Sequence, residues 1–562
     1  MSEFPPGLLL VLGALLIPLL RGHWRNAWML ALPLAGLWGL TQIAPGAHFQ
    51  FELFGQTLTP VRVDKLSLVF GYIFHIAAAI TIIYAFHVKD AVQAMAGMIY
   101  AGCAIGAVFA GDLISLFVYW EGTAISSVFL IWASRTESAY RAGIRYLIYQ
   151  VSSGVLLLGG AIWIFNQTGS LAFDKMTLSG PGPVMVFLAF GIKAAFPLLH
   201  NWLQDSYPKA TVTGTVFLSA FTTKLAIYAL ARGFPGTDML IWIGATMAVF
   251  PIFYALIEND LRKVLAYSLN HQLGFMVIGV GIGTELALNG AAAHAFASIL
   301  YKSVLFMSVG AVLFRTGTAQ ASELGGLHKS MPWTTRLCFV GSASISSFPL
   351  LVGFVSKSMI VSAAAYEHHM LVWLLLLLAG AGAILHSGIR IPYSAFYAKD
   401  SGKRPEEAPA NMLIAMGIAA FLCIALGVYP QALYDLLPYT AKYAPYTVSH
   451  VVTQLQLILF AGLVFGFMLR KNLYLADAKA LNLDFDWVFR RLFTGLIEAC
   501  IRIFGPVDRA VREGLLRQVG WIVQGVFRHH GPEGMLARTW PTGSTVLWVA
   551  VLLALYMIFY FI

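Results

Sequence analysis

Charged residues are scarce in this sequence: Asp, Glu, Lys and Arg make up only 11% of its 562 residues. Soluble proteins carry roughly 25% charged residues. The 36 basic and 26 acidic side chains are too few to solvate a globule of 61.3 kDa, which excludes a soluble enzyme. A disordered chain is excluded as well, because disorder requires low hydrophobicity and 59% of these residues are hydrophobic.

Cysteine is equally scarce. The four cysteines, Cys103, Cys338, Cys423 and Cys500, are scattered and fall mostly in apolar runs. Their spacing fits neither a metal site nor a disulfide framework. We therefore predict that the chain holds no metal, no bound cofactor and no redox centre of its own.

Long apolar runs, by contrast, are abundant. A transmembrane helix needs about 20 apolar residues, whereas a β-barrel shows alternating segments of about 10, so the sequence predicts an all-α polytopic membrane protein. The first run follows Glu3 without a basic region, which predicts a retained helix rather than a cleaved signal. Sixteen apolar windows indicate about 16 transmembrane helices, at 7–20, 27–44, 65–86, 92–110, 112–134, 140–165, 183–203, 211–233, 239–257, 262–284, 288–315, 334–366, 371–397, 411–430, 449–470 and 543–562.

The distribution of basic residues predicts the orientation of these spans. Up to residue 471, fifteen Lys and Arg residues lie in or beside the loops after odd-numbered spans, whereas five lie in or beside the loops after even-numbered spans. Because cytoplasmic loops are enriched in Lys and Arg, the odd loops are predicted to be cytoplasmic and both termini to lie on the outer face. The same rule accounts for the net charge of +10, and we predict no nucleic-acid partner.

Two proline-containing segments suggest broken helices and an internal repeat. As one straight helix, window 334–366 would measure about 50 Å, against a hydrocarbon core of about 30 Å, and it contains Pro349 and Gly353. The tetrapeptide at 196–199, Phe-Pro-Leu-Leu, recurs at 348–351. Interrupted helices in corresponding halves are typical of transporters built from inverted repeats. We predict two inverted five-helix repeats, spans 4–8 and 9–13, in which helices 7 and 12 are broken.

Residues 484–530 have a different character, because they are rich in arginine and carry apolar residues at helical spacing. This pattern predicts an amphipathic lateral helix along the membrane surface, with two stretches divided at Gly505-Pro506. It acts either as a strut against neighbouring subunits or as a plain surface helix on lipid headgroups. The predicted organisation is spans 1–2 in 1–60, a transmembrane core in 61–430, span 15 in 431–475, the lateral helix in 476–540 and a terminal span in 541–562.

Five charged residues lie well inside predicted spans. Placing each of them at mid-membrane costs about 2.5–3.5 kcal/mol of insertion free energy, and together they cost on the order of 12–18 kcal/mol. A cost of this size indicates that the residues have a function. Such residues usually face an aqueous interior, pair with one another and mark ion or proton paths. They are Glu121, Lys193, Lys224, Lys302 and Lys357.

Buried histidines add to this set. His294, Ser298 and Lys302 are spaced i, i+4 and i+8 and therefore share one helix face. His271 and His386 fit a structural role as well as a functional one. Glu121 also fits a structural ion pair, and Lys302 fits snorkelling toward the interface.

This set of residues predicts proton chemistry. Burial penalises the charged form of lysine, whereas a nearby carboxylate stabilises it. If Glu121 approached Lys193 and then withdrew, the lysine would load and release a proton. A row of such groups at mid-depth predicts a lateral relay, which comprises Glu121, Lys193, Lys224, His294, Lys302 and Lys357.

Several motifs occur in chain order and support a family resemblance. They are 116–121 with Glu121, 191–195 and 200–205 around Lys193, 223–228 with Lys224, 260–268, 294–302, 325–327 and 353–357 with Lys357. Over about residues 60–430, and more loosely beyond, the chain resembles the proton-translocating antiporter-like family shared by Mrp-type cation/proton antiporters and respiratory complex I. One departure is Ser298, because the family often has a histidine at that position.

The resemblance implies specific roles for the residues that match the motifs. Glu121 takes the place of the essential glutamate, Lys193 that of the pumping lysine in broken helix 7, and Lys357 that of the lysine in broken helix 12. Lys224, His294 and Lys302 match positions between them. It also implies a multi-pass protein of the bacterial cytoplasmic membrane, other membrane subunits as partners, and protons with a monovalent cation as substrates.

The resemblance leaves three functions open. The core looks most like the D-type subunit of Mrp antiporters, which implies exchange of protons for Na⁺ or another monovalent cation. The basic tail looks more like the long distal subunit of complex I, which implies a proton-pumping subunit of a redox complex. A third relative is the membrane partner of a zinc-containing inorganic-carbon uptake protein.

Overall fold

A computed structural model describes residues 5–53, 55–471, 473, 482, 484–485, 487–531, 534 and 541–561. The chain divides into two units, Met1–Asn482 and Leu483–Ile562. The described part of the first unit is almost entirely helical. Its first half contains α1 Pro6–Ala14, α2 Gly22–Leu40, α3 Lys65–Tyr84, α4 Ala91–Phe109, α5 Leu113–Trp132, α6 Glu137–Thr168, α7 Pro181–Lys193, α8 Asn201–Ser206, α9 Val212–Ala220 and α10 Thr222–Gly233.

The second half of this unit continues in the same way. It contains α11 Asp238–Ile257, α12 Leu261–Ile282, α13 Glu285–Thr316, α14 Pro332–Ile345, α15 Val352–Tyr366, α16 Met370–Ala383, α17 Arg390–Pro392, α18 Ala410–Val428, α19 Gln431–Tyr434 and α20 Val448–Arg470. Short 3-10 turns lie at Ile17–Leu19, Tyr207–Lys209, Ala321–Glu323 and Leu327–Lys329. Between α2 and α3, strand β1 Gly46–His48 pairs antiparallel with β4 Val61–Val63, and β2 Phe51–Leu53 with β3 Gln56–Leu58.

Twelve helical segments of the described chain are long and apolar enough to cross a membrane. A polytopic helical membrane protein, as predicted from the sequence, is therefore confirmed. The other four predicted windows coincide with α1, α2 and the two broken segments, which are shorter or less apolar. The count of sixteen spans stays a prediction.

Aspartates fix where several of these helices begin. Asp64, Asp90, Asp112 and Asp260 are the N-cap residues of α3, α4, α5 and α12, and each side chain accepts a hydrogen bond from a backbone N–H of the first turn. These bonds satisfy donors that the helix itself leaves unpaired. The charged residues in these loops thus define where the apolar helices start.

Both proline-containing segments are broken, as the sequence predicts. The first break separates α7 from α8, and the second separates α14 from α15. The two breaks share one backbone conformation: φ is positive at Ala195 and Leu198 (60° and 71°), and at Ser347 and Leu350 (56° and 72°). In both, the N–H of the phenylalanine before proline donates to a carbonyl five residues earlier, at 3.0 Å.

The helix that follows α15 changes type along its length. After α16 the backbone forms a π-helix over Ile384–Ile389, returns to α over Arg390–Pro392, and is π-helical again over Tyr393–Tyr397. Helices α12 and α13 lie at the centre of the unit and are almost entirely buried, whereas α20 is mostly exposed. The most buried helices of the unit thus include α13, which carries both His294 and Lys302, and α12, which packs against it.

The second unit contains a π-helical turn, Val488–Phe493, and the helices α21 Thr494–His530 and α22 Thr542–Phe561. The predicted division at Gly505-Pro506 is wrong, because α21 runs through Pro506 without interruption. A proline removes one N–H donor and disturbs one turn, which a helix of 37 residues can accommodate. At 1.5 Å per residue, α21 is about 56 Å long.

Candidate functional site

Lys193 is the last residue of α7 and is fully buried. Its Nζ donates to the Trp120 carbonyl oxygen at 2.6 Å and to Thr123 Oγ1 at 2.9 Å, both on α5. The same ammonium lies 4.3 Å from the centroid of the Trp120 ring. Lys193 is thus held by a carbonyl, a hydroxyl and an aromatic face, all of them neutral.

Glu121 follows Trp120 on α5, and its side chain packs against Gly154 of α6. Its Oε1 is buried and has no hydrogen-bond partner in the described part of the chain. A methyl group built on Gly154 of α6 would lie 1.4 Å from this oxygen, so the carboxylate occupies the space that the glycine leaves open. The predicted approach of Glu121 to Lys193 is therefore not a direct ion pair in this conformation.

Substitution of Gly154 by Ala should displace the Glu121 carboxylate. Since the added methyl group cannot coexist with Oε1 at 1.4 Å, the glutamate must rotate, and we expect at least about a tenfold loss of proton flux if its position matters for proton transfer. Gly159→Ala on the same helix is the matched control, because its methyl group would meet only Met185 Sδ at an ordinary 3.6 Å. Equal flux in the two variants, measured per assembled protein, would show that the placement of Glu121 is unimportant.

Lys224 and Lys302 are the central pair of buried lysines, and both are fully buried. Lys224 Nζ donates to the Ser219 carbonyl oxygen at 2.7 Å, close to the interruption between α9 and α10 at Phe221. Lys302 on α13 donates to Ser268 Oγ on α12 at 2.5 Å. Again both contacts are made to neutral oxygens.

Lys357 lies in the second turn of α15, beyond the second break. Its Nζ donates to the carbonyl oxygen of Ile345, the last residue of α14, at 3.2 Å, and lies 5.0 Å from the centroid of the Phe275 ring. A cavity of about 260 Å³ reaches Lys357 from between α15, α16 and α20, and it is lined in part by Ser358, Ser362 and Gln454. Lys193 precedes its break, whereas Lys357 follows its own.

The interrupted helices explain how these lysines are accommodated. The last carbonyls of a helix have no partner within the helix and carry a partial negative charge. Ser219 and Ile345 belong to the last turns of α9 and α14, so their carbonyls attract an ammonium group that burial disfavours. Because these effects oppose each other, the proton occupancy of each lysine responds to small changes in its surroundings.

His294 is fully buried and joins three helices. Its Nδ1 lies 3.1 Å from Ser356 Oγ on α15, and its Nε2 lies 3.0 Å from Gln272 Oε1 on α12. Ser298 does not connect His294 to Lys302, since its hydroxyl donates to the Ala295 carbonyl of its own helix at 3.0 Å. The shared face predicted from the i, i+4, i+8 spacing is buried, but the hydrogen bonds run to neighbouring helices.

Sequence reasoning missed the residues that hold the lysines. Thr123 and Ser268 are ordinary residues in apolar helices, and the other three contacts use the backbone carbonyls of Trp120, Ser219 and Ile345, which any residue could supply. One signal was available: the lysines at 193 and 357 flank the predicted breaks, where carbonyls lack helical partners.

Fold and site together define a polytopic helical membrane protein with charged groups buried across its interior. Residues 110–382 match the family described as NADH:quinone oxidoreductase/Mrp antiporter, transmembrane. This match confirms the resemblance inferred from the motifs.

The similar proteins include a Na⁺/H⁺ antiporter subunit and a chain of an Mrp complex. The chain is 31% identical over 322 residues to the D-type subunit of the Na⁺/H⁺ antiporter of Alkalihalophilus pseudofirmus, a match that covers 54% of this chain and 64% of that protein. A chain in the structure of the Mrp complex from Dietzia sp. DQ12-45-1b superposes with a TM-score of 0.77 at 24% identity, over 93% of this chain and 62% of that one. In both cases the match spans less than two thirds of the relative.

A third similar protein is matched over its full length. A chain of the membrane-bound sulfane sulfur reductase, an archaeal respiratory membrane complex, superposes with a TM-score of 0.72 at 20% identity. The superposition covers 99% of this chain and 100% of that chain. At these identities the two solved structures establish the fold alone.

Proposed function

We propose that this chain is a proton-translocating subunit of a multi-subunit Mrp-type antiporter that exchanges protons for Na⁺ or another monovalent cation. One observation carries the proposal: within the described residues, four buried lysines contact only neutral groups. A lysine paired with a carboxylate would leave a buried charge when it lost its proton. A lysine that hydrogen-bonds only to neutral groups can lose its proton without leaving a charged partner behind.

The relay that we propose runs through Glu121, Lys193, Lys224, Lys302 and Lys357, with His294 at the centre. Movement of the Glu121 carboxylate toward Lys193 favours the protonated lysine, and movement away favours release. The released proton passes toward Lys224 and onward through the centre, and the cavity beside Lys357 gives access to the last lysine. Repetition of one backbone conformation at the two breaks supports two related five-helix halves, spans 4–8 and 9–13.

The assignment to an Mrp-type complex is supported by the similarity to the D-type subunit of a Na⁺/H⁺ antiporter. The proposed setting is the bacterial cytoplasmic membrane, with other membrane subunits as partners and both termini on the outer face, as the distribution of Lys and Arg favours. Since related chains occur in multi-subunit complexes, we propose that this chain does not conduct alone.

A proton-pumping subunit of a redox complex is the second candidate. The observation that favours it is the superposition with a chain of a respiratory membrane complex over 99% of this chain and 100% of that chain, whereas the superposition with the Mrp complex covers 93% of this chain and 62% of that one. In that case the oxidation–reduction chemistry belongs to other subunits, and the same buried lysines move the protons.

Native purification in mild detergent, followed by mass spectrometry of the associated chains, decides between these functions. Small hydrophobic subunits and a larger related chain, without iron–sulfur proteins, are expected for the antiporter. Iron–sulfur or nickel–iron subunits would instead establish the redox complex, and a soluble zinc protein would establish inorganic-carbon uptake. A folded chain that purifies alone would overturn the proposed assembly.

Deletion of residues 484–562 should weaken assembly more than it changes the flux per remaining complex. Helix α21 is amphipathic and basic, and its described side chains are exposed in the isolated chain, as expected for a strut that contacts other subunits. Native gels measure assembly, and flux is normalised to the intact complex. Unchanged assembly would show that α21 is a surface helix on lipid headgroups.

A further inference from the structure

A chain of hydrogen bonds leaves the centre of the molecule at Lys302. Lys302 Nζ donates to Ser268 Oγ at 2.5 Å, and Ser387 Oγ donates to the same oxygen at 2.8 Å. Ser387 Oγ in turn lies 2.7 Å from His386 Nδ1. Two hydroxyls therefore connect a buried lysine to a buried histidine, through α13, α12 and the π-helix Ile384–Ile389.

All four side chains are fully buried, with exposures of 0%. The other ring nitrogen of His386, Nε2, is buried as well and has no hydrogen-bond partner in the described part of the chain. A buried polar atom without a partner costs free energy, and such atoms usually have a functional reason. Among the described residues, His75 Nε2 and His271 Nε2 are buried without a partner too, so what distinguishes His386 is its hydrogen-bonded connection to Lys302.

The π-helix is what presents His386 and Ser387 together. Ser268 and His271 are one turn apart on the same face of α12. Ser387 bonds to Ser268, and the ring of His386 lies edge-on to that of His271 with centroids 5.1 Å apart. Two consecutive residues thus meet one face of α12. Single π-turns of this kind are frequent at functional sites.

We infer that His386 is a further proton-carrying residue, joined to Lys302 by the hydroxyls of Ser268 and Ser387. The inference rests on the proposed function and adds to the relay a branch that runs from Lys302 through Ser268 and Ser387 to His386. That branch points toward the loop after α11, because Arg390, the next turn along, donates to the carbonyls of Ala255 and Glu258. By the distribution of basic residues, this loop lies on the cytoplasmic side.

The transfer balances without any other reactant. When both hydroxyls turn toward the histidine, Lys302 gives a proton to Ser268 Oγ, Ser268 passes its own hydroxyl proton to Ser387, and Ser387 passes its own to His386 Nδ1. Lys302 becomes neutral, His386 becomes positively charged, and both serines remain neutral. Hydroxyl groups can serve in either direction because each is both a donor and an acceptor.

The test uses the assembled complex in membrane vesicles and compares initial rates of ΔpH formation per complex. His386→Gln keeps a hydrogen-bonding side chain that cannot carry a proton, and Ser387→Ala removes the connecting hydroxyl. Each should lower the rate about a hundredfold or more, the lower end of what a positioned proton-transfer group contributes. Ser387→Thr, which retains the hydroxyl, should keep most of the wild-type rate.

Two buried residues outside the branch provide matched controls. Ser308→Ala removes a hydroxyl that donates to the Val304 carbonyl of its own helix. His75→Gln replaces a fully buried histidine that bonds to the Gly71 carbonyl of its own helix. Both controls should leave the rate within about twofold of wild type, since neither removes a proton-transfer group.

The outcomes separate the two proposals. Slow rates in His386→Gln and Ser387→Ala, together with near-normal rates in Ser387→Thr and both controls, support the branch. If either His386→Gln or Ser387→Ala runs at the wild-type rate while Lys193→Ala does not, the branch is overturned and the proposed function stands. If Lys193→Ala also runs at the wild-type rate, the proposed function itself fails.

Discussion

Replacement of Lys193 by Ala should abolish proton coupling in an assembled complex. The substitution removes a group that holds a transferable proton, and a fall of about a hundredfold or more in flux is expected from the loss of such a group. Assembly should change little, because Lys193 hydrogen-bonds only to the Trp120 carbonyl and the Thr123 hydroxyl, so its loss breaks no hydrogen-bonded ion pair. The measurement is ΔpH formation in vesicles, normalised to the complex on native gels.

Lys175→Ala is the control for Lys193→Ala. Lys175 is an exposed residue of the loop before α7, so its loss removes the same charge from the chain without changing the interior. Normal flux in this variant, with none in Lys193→Ala, assigns the effect to the buried position. Normal ΔpH formation by Lys193→Ala would contradict the relay.

Gly353→Ala should prevent the chain from folding stably around the second break. A methyl group on Gly353 would lie 1.8 Å from the Ser344 carbonyl oxygen, and a backbone atom cannot move aside as a flexible side chain can. We expect a loss of about 3 kcal/mol or more, at the upper end of the cost of overpacking. Thermal unfolding of the detergent-solubilised complex and its yield from membranes measure this loss.

Gly417→Ala tests whether that loss is specific to the break. Gly417 lies inside α18 with no heavy atom within 4 Å of the added methyl group. Alanine in a helix interior is more favourable than glycine by about 0.5–1 kcal/mol, so this variant should be as stable as wild type or slightly more so. Equal stability of Gly353→Ala and Gly417→Ala would contradict the close approach of α15 to α14.

Much of the fold could be predicted from composition and from two prolines. The apolar windows lie on helices because a chain in lipid must satisfy its backbone hydrogen bonds internally, and Pro197 and Pro349 lie where α7 and α14 give way to the next helix. The predicted division at Gly505-Pro506 was wrong because a proline does not always interrupt a helix. A proline in an exposed helix costs one hydrogen bond, and neighbouring turns can retain the helix.

The candidate site was predictable only as a set of residues. A charged side chain inside an apolar span costs free energy and is rarely present without a function. Lys193, Lys224, Lys302 and Lys357 could therefore be selected without a structure. Their partners could not, because carbonyls and hydroxyls become visible only when helices are packed. The direction of Glu121 toward Gly154 likewise depends on a contact between two helices that no spacing within α5 encodes.

Proton flux in proteoliposomes that contain the purified complex is the most direct test of the central claim. A sodium gradient is imposed across the membrane, and internal pH is followed with a fluorescent indicator. The account predicts that sodium moving down its gradient drives protons the other way, and that Lys193→Ala removes this response. An intact complex that leaves internal pH unchanged under gradients of Na⁺ and of other monovalent cations would contradict the proposed antiport.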